Sequence, residues 1–234
     1  MLNCALAGCL EFDIVMATTS MASGNPSELH PLERLAIATA QPARSREFAA
    51  GRNAARKAMA YFGLGDVEIP SSPDRCPVWP KGVVGSISHS RHFATAAVTR
   101  DKRLAGIGID IEEPWVDNAR DIVTRVLTAR EISILKTLPD ERVEQRLARV
   151  ACCKEAAYKA VYPIVGEYFD FPDIEIDFER DLRTFYVRPG AELKSAHVLR
   201  QGRGWIGSTS GQLVSIFVIG DEQLNETNYA SRVH

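Results

Sequence analysis

The stretch "LAGIGIDIE" (residues 104–112) predicts a β-strand with two chemically different faces. Side chains alternate between faces along a strand, so the three isoleucines share one face, and Asp110 and Glu112 share the other with two glycines. The two carboxylates therefore stand side by side, beyond a surface that the glycines leave clear. Taken alone, the pair is better explained by an edge strand whose polar face lies in solvent.

Outward from this strand, helical and strand-like segments alternate. Residues 31–65 read as helical with a break near Pro42, and residues 117–162 read as helical with Thr128 and Glu131 as a capping box. Strand-like runs occupy residues 83–90, 93–100, 173–178, 184–189, 196–200, 204–210 and 213–220. This order predicts an α+β fold in which small antiparallel sheets pack against helices.

The same pattern suggests how the chain divides. We expect a poorly specified, loosely attached segment at 1–25, a first α+β half at 26–113 and a second at 114–234, the two halves forming one unit. A faint similarity between "VVGSISHSRHFATAAV" and "GWIGSTSGQLVSIFVI" leaves an internal duplication open.

Composition and charge exclude several classes of protein. The chain has 234 residues, 45% of them hydrophobic and 25% charged, with a formal net charge of −2. This balance is typical of a globular protein and argues against a general nucleic-acid binder, which is usually strongly basic. No apolar run approaches the roughly 20 residues that span a bilayer. The five cysteines include no Cys-x-x-Cys pair, and Cys152 and Cys153 read as small core residues, so we expect a reducing, cytoplasmic setting.

A second suggestive stretch is the helical run "VACCKEAAYKAVYP" (150–163). Glu155 and Lys159 are four residues apart and are therefore neighbours on one face. On an exposed helix they would form a weak surface ion pair, but the surrounding apolar residues indicate a partly buried face. Glu155 could then add a third carboxylate to the pair on the strand, and Lys154 and Lys159 could neutralise phosphate oxygens. Pro163 is expected to end the helix.

A third stretch, "GSISHS" (85–90), adds Ser88 and His89 on a strand. A lone histidine is usually structural, but the glycine and serines here leave room for a ligand. Carboxylates for Mg²⁺, cations for phosphate and a histidine are together the equipment of phosphoryl chemistry on an anionic substrate. The helix that carries Arg44 and Arg52 reads, on composition alone, as a solvated charged face.

Four motifs taken together carry a resemblance to a known family. They are "AGRNAARKA" (50–58), "WPKGVVGSISHS" (79–90), "GIGIDIE" (106–112) and "KEAAYKA" (154–160). In this order they resemble the phosphopantetheinyl transferases, in their larger, pseudo-dimeric type and its enterobactin synthase component D branch. The resemblance implies a monomer of two similar halves that transfers 4′-phosphopantetheine from coenzyme A to a serine of an apo acyl or peptidyl carrier protein. The implied by-product is adenosine 3′,5′-bisphosphate.

The resemblance also implies a role for individual residues. It implies that Mg²⁺, or Mn²⁺, is held by Asp110, Glu112 and Glu155, and that Glu155 takes the proton of the carrier serine. It implies that Lys159 stabilises the leaving phosphate. Contacts with coenzyme A are implied for Arg44, Arg52, Arg75, Ser88, His89, Asp110, Lys154 and Lys159.

Two rival functions explain part of the pattern. A metal-dependent phosphoesterase would use the carboxylates, but it needs more clustered ligands than a chain with five histidines offers. A non-catalytic module that binds coenzyme A or a carrier protein would be marked by loss of Asp110 or Glu155, and both are present. The sequence leaves open whether the carrier serves fatty-acid, polyketide, siderophore or other non-ribosomal peptide synthesis, and whether the metal is Mg²⁺ or Mn²⁺.

Overall fold

The computed structural model describes residues 11–113, 119–209 and 211–221. They form the predicted α+β fold of antiparallel sheets packed against helices. The α-helices are α1 (Pro31–Leu35), α2 (Pro42–Met59), α3 (Ala119–Val126), α4 (Ala129–Leu135), α5 (Asp140–Val165) and α6 (Ala196–Gln201). The strands are β1 (Ile14–Ser20), β2 (Val84–His89), β3 (Phe93–Thr99), β4 (Leu104–Glu112), β5 (Ile174–Phe178), β6 (Thr184–Pro189), β7 (Arg203–Thr209) and β8 (Gln212–Gly220).

The first sheet has the order β1-β3-β2 and is covered by helix α2. Pro42 stands in the first turn of this helix, where its missing N–H costs no hydrogen bond. The helix can lie close to the sheet because its buried side consists largely of alanine: Ala49, Ala50, Ala54, Ala55 and Ala58. The predicted break near Pro42 is confirmed as the start of α2.

The second sheet has the order β4-β8-β7-β6-β5 and carries helix α5 on one face. The helix lies directly on the glycines of β4. A Cβ atom added at Gly108 would come within 1.9 Å of the carbonyl oxygen of Ala156, and one at Gly106 within 2.6 Å of that of Ala160. The glycines were expected to keep a surface clear; the structure shows that they admit the helix that carries Lys159.

The other face of β4 joins the two sheets. Its isoleucines pack in one apolar cluster with Ala97 of the first sheet and Trp205 of the second. β4 lies at the edge of the second sheet in its hydrogen bonding, yet both of its faces are buried. The simpler interpretation of Asp110 and Glu112, a polar face in solvent, is wrong for Asp110, which is 5% exposed.

The N-terminal segment is more ordered than the sequence suggested. Residues 1–10 lie outside the described residues, but β1 pairs with β3 along its whole length, from Ile14 opposite Thr99 to Ser20 opposite Phe93. Because β3 lies more than 70 residues downstream of β1, no local pattern in the sequence predicts this pairing. The proposed boundaries at residues 25 and 113 stay predictions, although β4, assigned there to the first half, pairs with β8 of the second sheet.

Two elements differ from the predicted secondary structure. Helix α5 passes Pro163 and ends at Gly166, whose φ of 69° and N–H bond to the carbonyl of Tyr162 (2.8 Å) form a C-terminal cap. The run at 196–200 was predicted as a strand but is helix α6, with Ala196 and Leu199 buried at helical spacing. No helix among the described residues is long and apolar enough to cross a membrane.

Candidate active site

A cluster of charged side chains lies where β2, β4 and α5 meet. The ammonium group of Lys159 donates to Asp110 Oδ1 at 2.8 Å and to Ser88 Oγ at 3.0 Å, and its Nζ lies 3.5 Å from Glu155 Oε1. Ser88 Oγ donates to the same Asp110 oxygen at 2.7 Å. The predicted residues Ser88, Asp110, Glu155 and Lys159 are thus brought together.

Three separate elements position this cluster. Ser88 comes from β2 of the first sheet, Asp110 from β4 of the second, and Glu155 and Lys159 from one face of α5. The backbone N–H of Ile111 also donates to Ser88 Oγ at 3.4 Å, which ties β2 to β4 at this level. The site therefore needs both halves of the chain.

The electrostatics keep Lys159 charged. Burial by itself lowers the pKa of Lys159, but the negative charges of Asp110 and Glu155 outweigh it and raise the pKa above its ordinary value. The Lys159 side chain is 23% exposed and that of Glu155 is 37% exposed, while Asp110 lies beneath them. The cluster thus presents one ammonium and one carboxylate to solvent.

A second cluster of polar side chains lies at the end of β2. Arg44 NH1 donates to His89 Nε2 and to Glu47 Oε2, both at 3.2 Å. Burial is the main reason why the pKa of His89 lies below its ordinary value; Glu47 opposes the shift and Arg44 adds to it. His89 is therefore a neutral acceptor at pH 7, with the 55%-exposed Arg44 beside it.

Two cavities border these groups. One of about 450 Å³ is lined by Trp79, Tyr158 and Lys159 among others. The other, of about 670 Å³, is lined by Arg44 and Phe48 among others. Arg75 lines both, in the left-handed backbone conformation (φ 69°), and is exposed. The predicted residues Arg44, Arg75 and Lys159 thus lie along adjoining cavities.

Lys154 does not belong to this site. Its side chain is fully buried, and Nζ donates to the carbonyl oxygens of Val126 (2.8 Å) and Phe171 (2.9 Å) and to Glu131 Oε2 (2.6 Å). These three bonds use all three donors of the ammonium group. The predicted phosphate contact of Lys154 is therefore wrong: this lysine ties α5 to the end of α3, to α4 and to the segment before β5.

Arg52 is likewise a structural residue in this fold. It is 4% exposed, and its guanidinium donates to the carbonyl of Ile69 at 2.7 Å and to Ser71 Oγ at 2.9 Å, 4.2 Å from the centre of the Phe48 ring. Burial lowers the pKa of Arg52 to about 10, although Glu33 opposes the shift. Its predicted contact with a phosphate is not supported by its position beneath the lining of the larger cavity.

The fit to a divalent metal is partial. Asp110 and Glu155 converge on one cation, the ammonium of Lys159, and carboxylate oxygens are the ligands that Mg²⁺ and Mn²⁺ prefer. Glu112 lies two residues beyond Asp110 on the same strand face. Within the described residues, however, no three His, Cys, Asp or Glu side chains gather closely enough to hold a metal ion. The carboxylate oxygens are suitable ligands for the predicted Mg²⁺ or Mn²⁺. A metal site formed by all three carboxylates stays a prediction.

Sequence reasoning missed several residues that shape the site. Glu47, the carboxylate beside Arg44 and His89, looked like one more charge on a solvated helix. Tyr158 follows Glu155 by three residues, a helical spacing that could have placed it on the cavity wall. Glu131 was identified as a helix cap, which is confirmed, but its bond to Lys154 was not foreseen.

The fold and the site together define a two-sheet α+β protein with a cation–carboxylate cluster at the junction of its sheets. Comparison with known proteins assigns this class to a family. The family model "4′-phosphopantetheinyl transferase N-terminal domain" matches residues 32–99, and "4′-phosphopantetheinyl transferase superfamily" matches residues 106–208.

Individual relatives agree with this result. The chain is 36% identical over 150 residues to 4′-phosphopantetheinyl transferase Npt of Nocardia iowensis, covering 64% of this chain and 66% of the relative. It is 32% identical over 161 residues to PptT of Mycobacterium tuberculosis, covering 67% and 69%. It is 39% identical over 120 residues to enterobactin synthase component D of Escherichia coli, covering 50% and 54%. The chain belongs to the 4′-phosphopantetheinyl transferase family, and the resemblance found in its motifs is confirmed.

Proposed function

We propose that this protein transfers the 4′-phosphopantetheine group of coenzyme A to a serine of an apo acyl or peptidyl carrier protein, releasing adenosine 3′,5′-bisphosphate. The observation that carries the proposal is the Lys159 ammonium held between Asp110 and Glu155 at the meeting point of both sheets. Such an arrangement neutralises a phosphate and accepts a proton at one place, which is what displacement at phosphorus requires.

The cavities suit the two ends of coenzyme A. Arg44 and Arg75 line the larger cavity, where a phosphorylated nucleoside would find cationic donors. The smaller cavity is lined by Trp79 and Tyr158 together with Lys159, which suits a long and less polar arm that ends at a phosphate. The pyrophosphate of the coenzyme would then lie near Lys159 and His89, between the two cavities.

The proposed reaction is a single displacement. The serine oxygen of the carrier forms a bond to the phosphorus that bears the pantetheine, and the bond from that phosphorus to the bridging pyrophosphate oxygen breaks. Glu155, the exposed carboxylate, takes the serine proton. Lys159 neutralises the charge that develops on the leaving phosphate. Asp110 and Ser88 hold the Lys159 ammonium in place.

A divalent metal is part of the proposal. Asp110 and Glu112, together with Glu155, are the residues that would hold Mg²⁺ or Mn²⁺, and the metal would supply further positive charge against the pyrophosphate. We also propose that the protein acts as a monomer, because β2, β4 and α5 of one chain contribute the cluster. The cysteines among the described residues are free thiols, consistent with the proposed reducing cytoplasm.

Mass spectrometry of the carrier tests the proposal. The protein is incubated with coenzyme A, Mg²⁺ and a panel of apo carrier proteins, and at least one carrier is expected to gain about 340 Da, the mass of the phosphopantetheinyl group. The gain should disappear with EDTA and with a carrier whose acceptor serine is alanine. No gain on any carrier, with coenzyme A bound in calorimetry, would instead indicate a binding module.

A further inference from the structure

A buried carboxylate lies in each half of the chain, at the same place in a short helix. Glu33 is the third residue of α1 and is fully buried, and Glu131 is the third residue of α4 and is 7% exposed. Each accepts the backbone N–H of the residue three positions earlier, which is His30 at 3.1 Å and Thr128 at 2.9 Å. The proposed transfer reaction makes no direct use of either carboxylate.

The other contacts of the two carboxylates are also equivalent. In each, Oε1 accepts the N–H of a downstream isoleucine at 2.9 Å, Ile69 in the first half and Ile176 in the second. Each is also paired with a cation of the long helix that covers its sheet. Arg56 of α2 donates to both oxygens of the first carboxylate, at 2.8 Å and 2.9 Å, and Lys154 of α5 donates to the second at 2.6 Å. Each carboxylate therefore joins a short helix, a long helix and a downstream segment.

The segment that follows the isoleucine differs between the two halves. Ile176 lies within β5, and β5, which the structure describes throughout, lines neither of the two cavities beside the candidate active site. Ile69 leads directly into residues 70–77, which we call the proline loop. Every residue of the proline loop lines one of these two cavities, and Arg75 lines both. Only the first carboxylate is therefore connected to the proposed binding site.

The proline loop is stiff. Within it, the N–H of Ser72 donates to the carbonyl of Cys76 and the N–H of Arg75 donates to the carbonyl of Ser72, both at 2.9 Å. The N–H of Val78 donates to the carbonyl of Pro70 at 2.9 Å, which closes the base of the loop. The rings of three prolines also fix φ: Pro70, Pro73 and Pro77. The loop therefore moves as one body, and its position depends on how its two ends are attached.

Both ends of the proline loop are attached to the first half. At the entering end, the N–H of the buried Ile69 is bonded to Glu33, and its carbonyl accepts Arg52 Nε at 2.7 Å. Arg52 also donates to Ser71 Oγ at 2.9 Å. At the leaving end, Trp79 packs against the apolar cluster between α2 and the first sheet. Glu33 thus holds the entrance of the loop without lining either cavity itself.

From this arrangement we propose that Glu33 is a positioning residue for coenzyme A, whose bond to the N–H of Ile69 fixes the proline loop along the two cavities. The inference rests on the proposed function and gives a part in it to a residue that contacts no substrate. A loop that is already held in its binding position need not be ordered when the ligand arrives, which strengthens binding. Glu131, whose isoleucine lies away from the cavities, has a structural role alone.

Replacing the whole ion pair tests the proposal without leaving a buried charge. The first variant, Glu33→Leu with Arg56→Met, removes both charges and the acceptor of the Ile69 N–H. The second variant, Glu33→Gln with Arg56→Met, removes both charges but keeps an amide oxygen for that N–H. Apolar replacement of a buried ion pair is often tolerated, so both variants are expected to fold. In calorimetry the first variant should bind coenzyme A roughly tenfold more weakly than the wild type, and the second should stay within about threefold.

The second half of the chain supplies a matched control. Glu131→Leu with Lys154→Met removes the equivalent ion pair and the acceptor of the Ile176 N–H. Its urea midpoint should fall at least as far as that of the first variant, because the side chain of Lys154 is 0% exposed and that of Arg56 is 11% exposed. Its affinity for coenzyme A, measured where circular dichroism shows it folded, should stay within about threefold of wild type. A loss of affinity equal to that of the first variant would attribute the effect to stability and overturn the proposal.

Kinetics with a carrier distinguish positioning from catalysis. In the first variant KM for coenzyme A should rise roughly tenfold while kcat stays within about twofold, because the cluster around Lys159 is unchanged. A fall in kcat with an unchanged KM would overturn the positioning role.

The binding data also separate this inference from the proposed function. Equal affinity of the first and second variants for coenzyme A would overturn the role of Glu33 and leave the proposed function in place. The expected order of affinities, with no transfer to any carrier, would support the role of Glu33 and refute the proposed function. A wild-type protein that does not bind coenzyme A would overturn both.

Discussion

Two lysines of helix α5, five residues apart, occupy opposite kinds of environment. Lys154 is sealed inside the second half with Glu131, whose side chain is 6% exposed, and its three donors are all used. Lys159 lies between a buried and an exposed carboxylate at the edge of a cavity. In the sequence both are cations flanking Glu155. The environment, not the residue type, decides which of them can meet a substrate.

The first half contains the same contrast between two arginines of α2. Arg52 is buried and bonded to Ile69 and Ser71 below the larger cavity, while Arg44 is half exposed in its lining. In each pair, one cation joins elements of the fold and the other faces a cavity. Substitutions should therefore separate effects on stability from effects on the reaction.

The largest effect is expected from Lys154→Met. Removing the lysine takes the counter-charge from the buried Glu131 and leaves the carbonyls of Val126 and Phe171 without their donor. The free energy of unfolding should therefore fall by about 3–5 kcal/mol. Urea denaturation followed by circular dichroism measures the change. Adding Glu131→Gln in the same chain should restore part of the loss, because no buried charge remains. A loss below about 1 kcal/mol would contradict this prediction, because it is the size expected for an ion pair on the surface.

Lys159→Met should reduce the transfer rate strongly and the stability only slightly, the opposite of Lys154→Met. The transfer rate is expected to fall roughly 100-fold, because the charge that faces the leaving phosphate is lost. The free energy of unfolding should fall by only about 1–2 kcal/mol, because Lys159 is 23% exposed, so that solvent reaches the site, and Asp110 keeps its bond from Ser88. Lys57→Met, an exposed lysine of α2, is the matched control. A wild-type rate in Lys159→Met would remove this lysine from the reaction.

Asp110→Asn tests whether Asp110 is a ligand of the proposed metal. If Asp110 is a metal ligand, the Mg²⁺ concentration for half-maximal rate should rise roughly tenfold, since one ligand charge is lost. Rates measured over a Mg²⁺ titration at saturating coenzyme A give this value. Asp101→Asn, at a carboxylate paired with Arg103 away from the cavities, should leave the titration unchanged. An identical titration for Asp110→Asn would refute the metal assignment.

The smallest effect is expected from Arg44→Ala. Losing one exposed phosphate contact should raise KM for coenzyme A roughly fivefold to tenfold and leave kcat nearly unchanged. Arg46→Ala, two residues along the same helix and also exposed, serves as control. Equal KM values for the two variants would show that the larger cavity does not receive the phosphorylated nucleoside.

The sequence predicted those features that depend on local patterns. Alternation along β4 placed Asp110 and Glu112 on one face, and helical spacing placed Glu155 beside Lys159. The order of the four motifs identified the family. The packing of α5 on the glycines of β4 then brought these residues to one point, which the resemblance implied and local spacing alone could not show.

The predictions that were wrong or missing concern features that depend mainly on long-range contacts. No local signal distinguishes Lys154 from Lys159, because the partner Glu131 and the two carbonyl groups reach Lys154 only in the folded core. β1 finds its partner β3 more than 70 residues away. Pro163 was read as a helix end, but it removes a single N–H group near the C-terminus, and Gly166 provides the actual cap.

Glu155→Gln most directly tests the claim that the cluster at the junction of the sheets performs the transfer. The substitution keeps the size of the side chain and removes its capacity to take the serine proton. With coenzyme A and carrier saturating, the rate should fall at least about 100-fold, while calorimetry finds coenzyme A affinity within about threefold of wild type. A wild-type rate in Glu155→Gln would contradict the account and place the chemistry elsewhere.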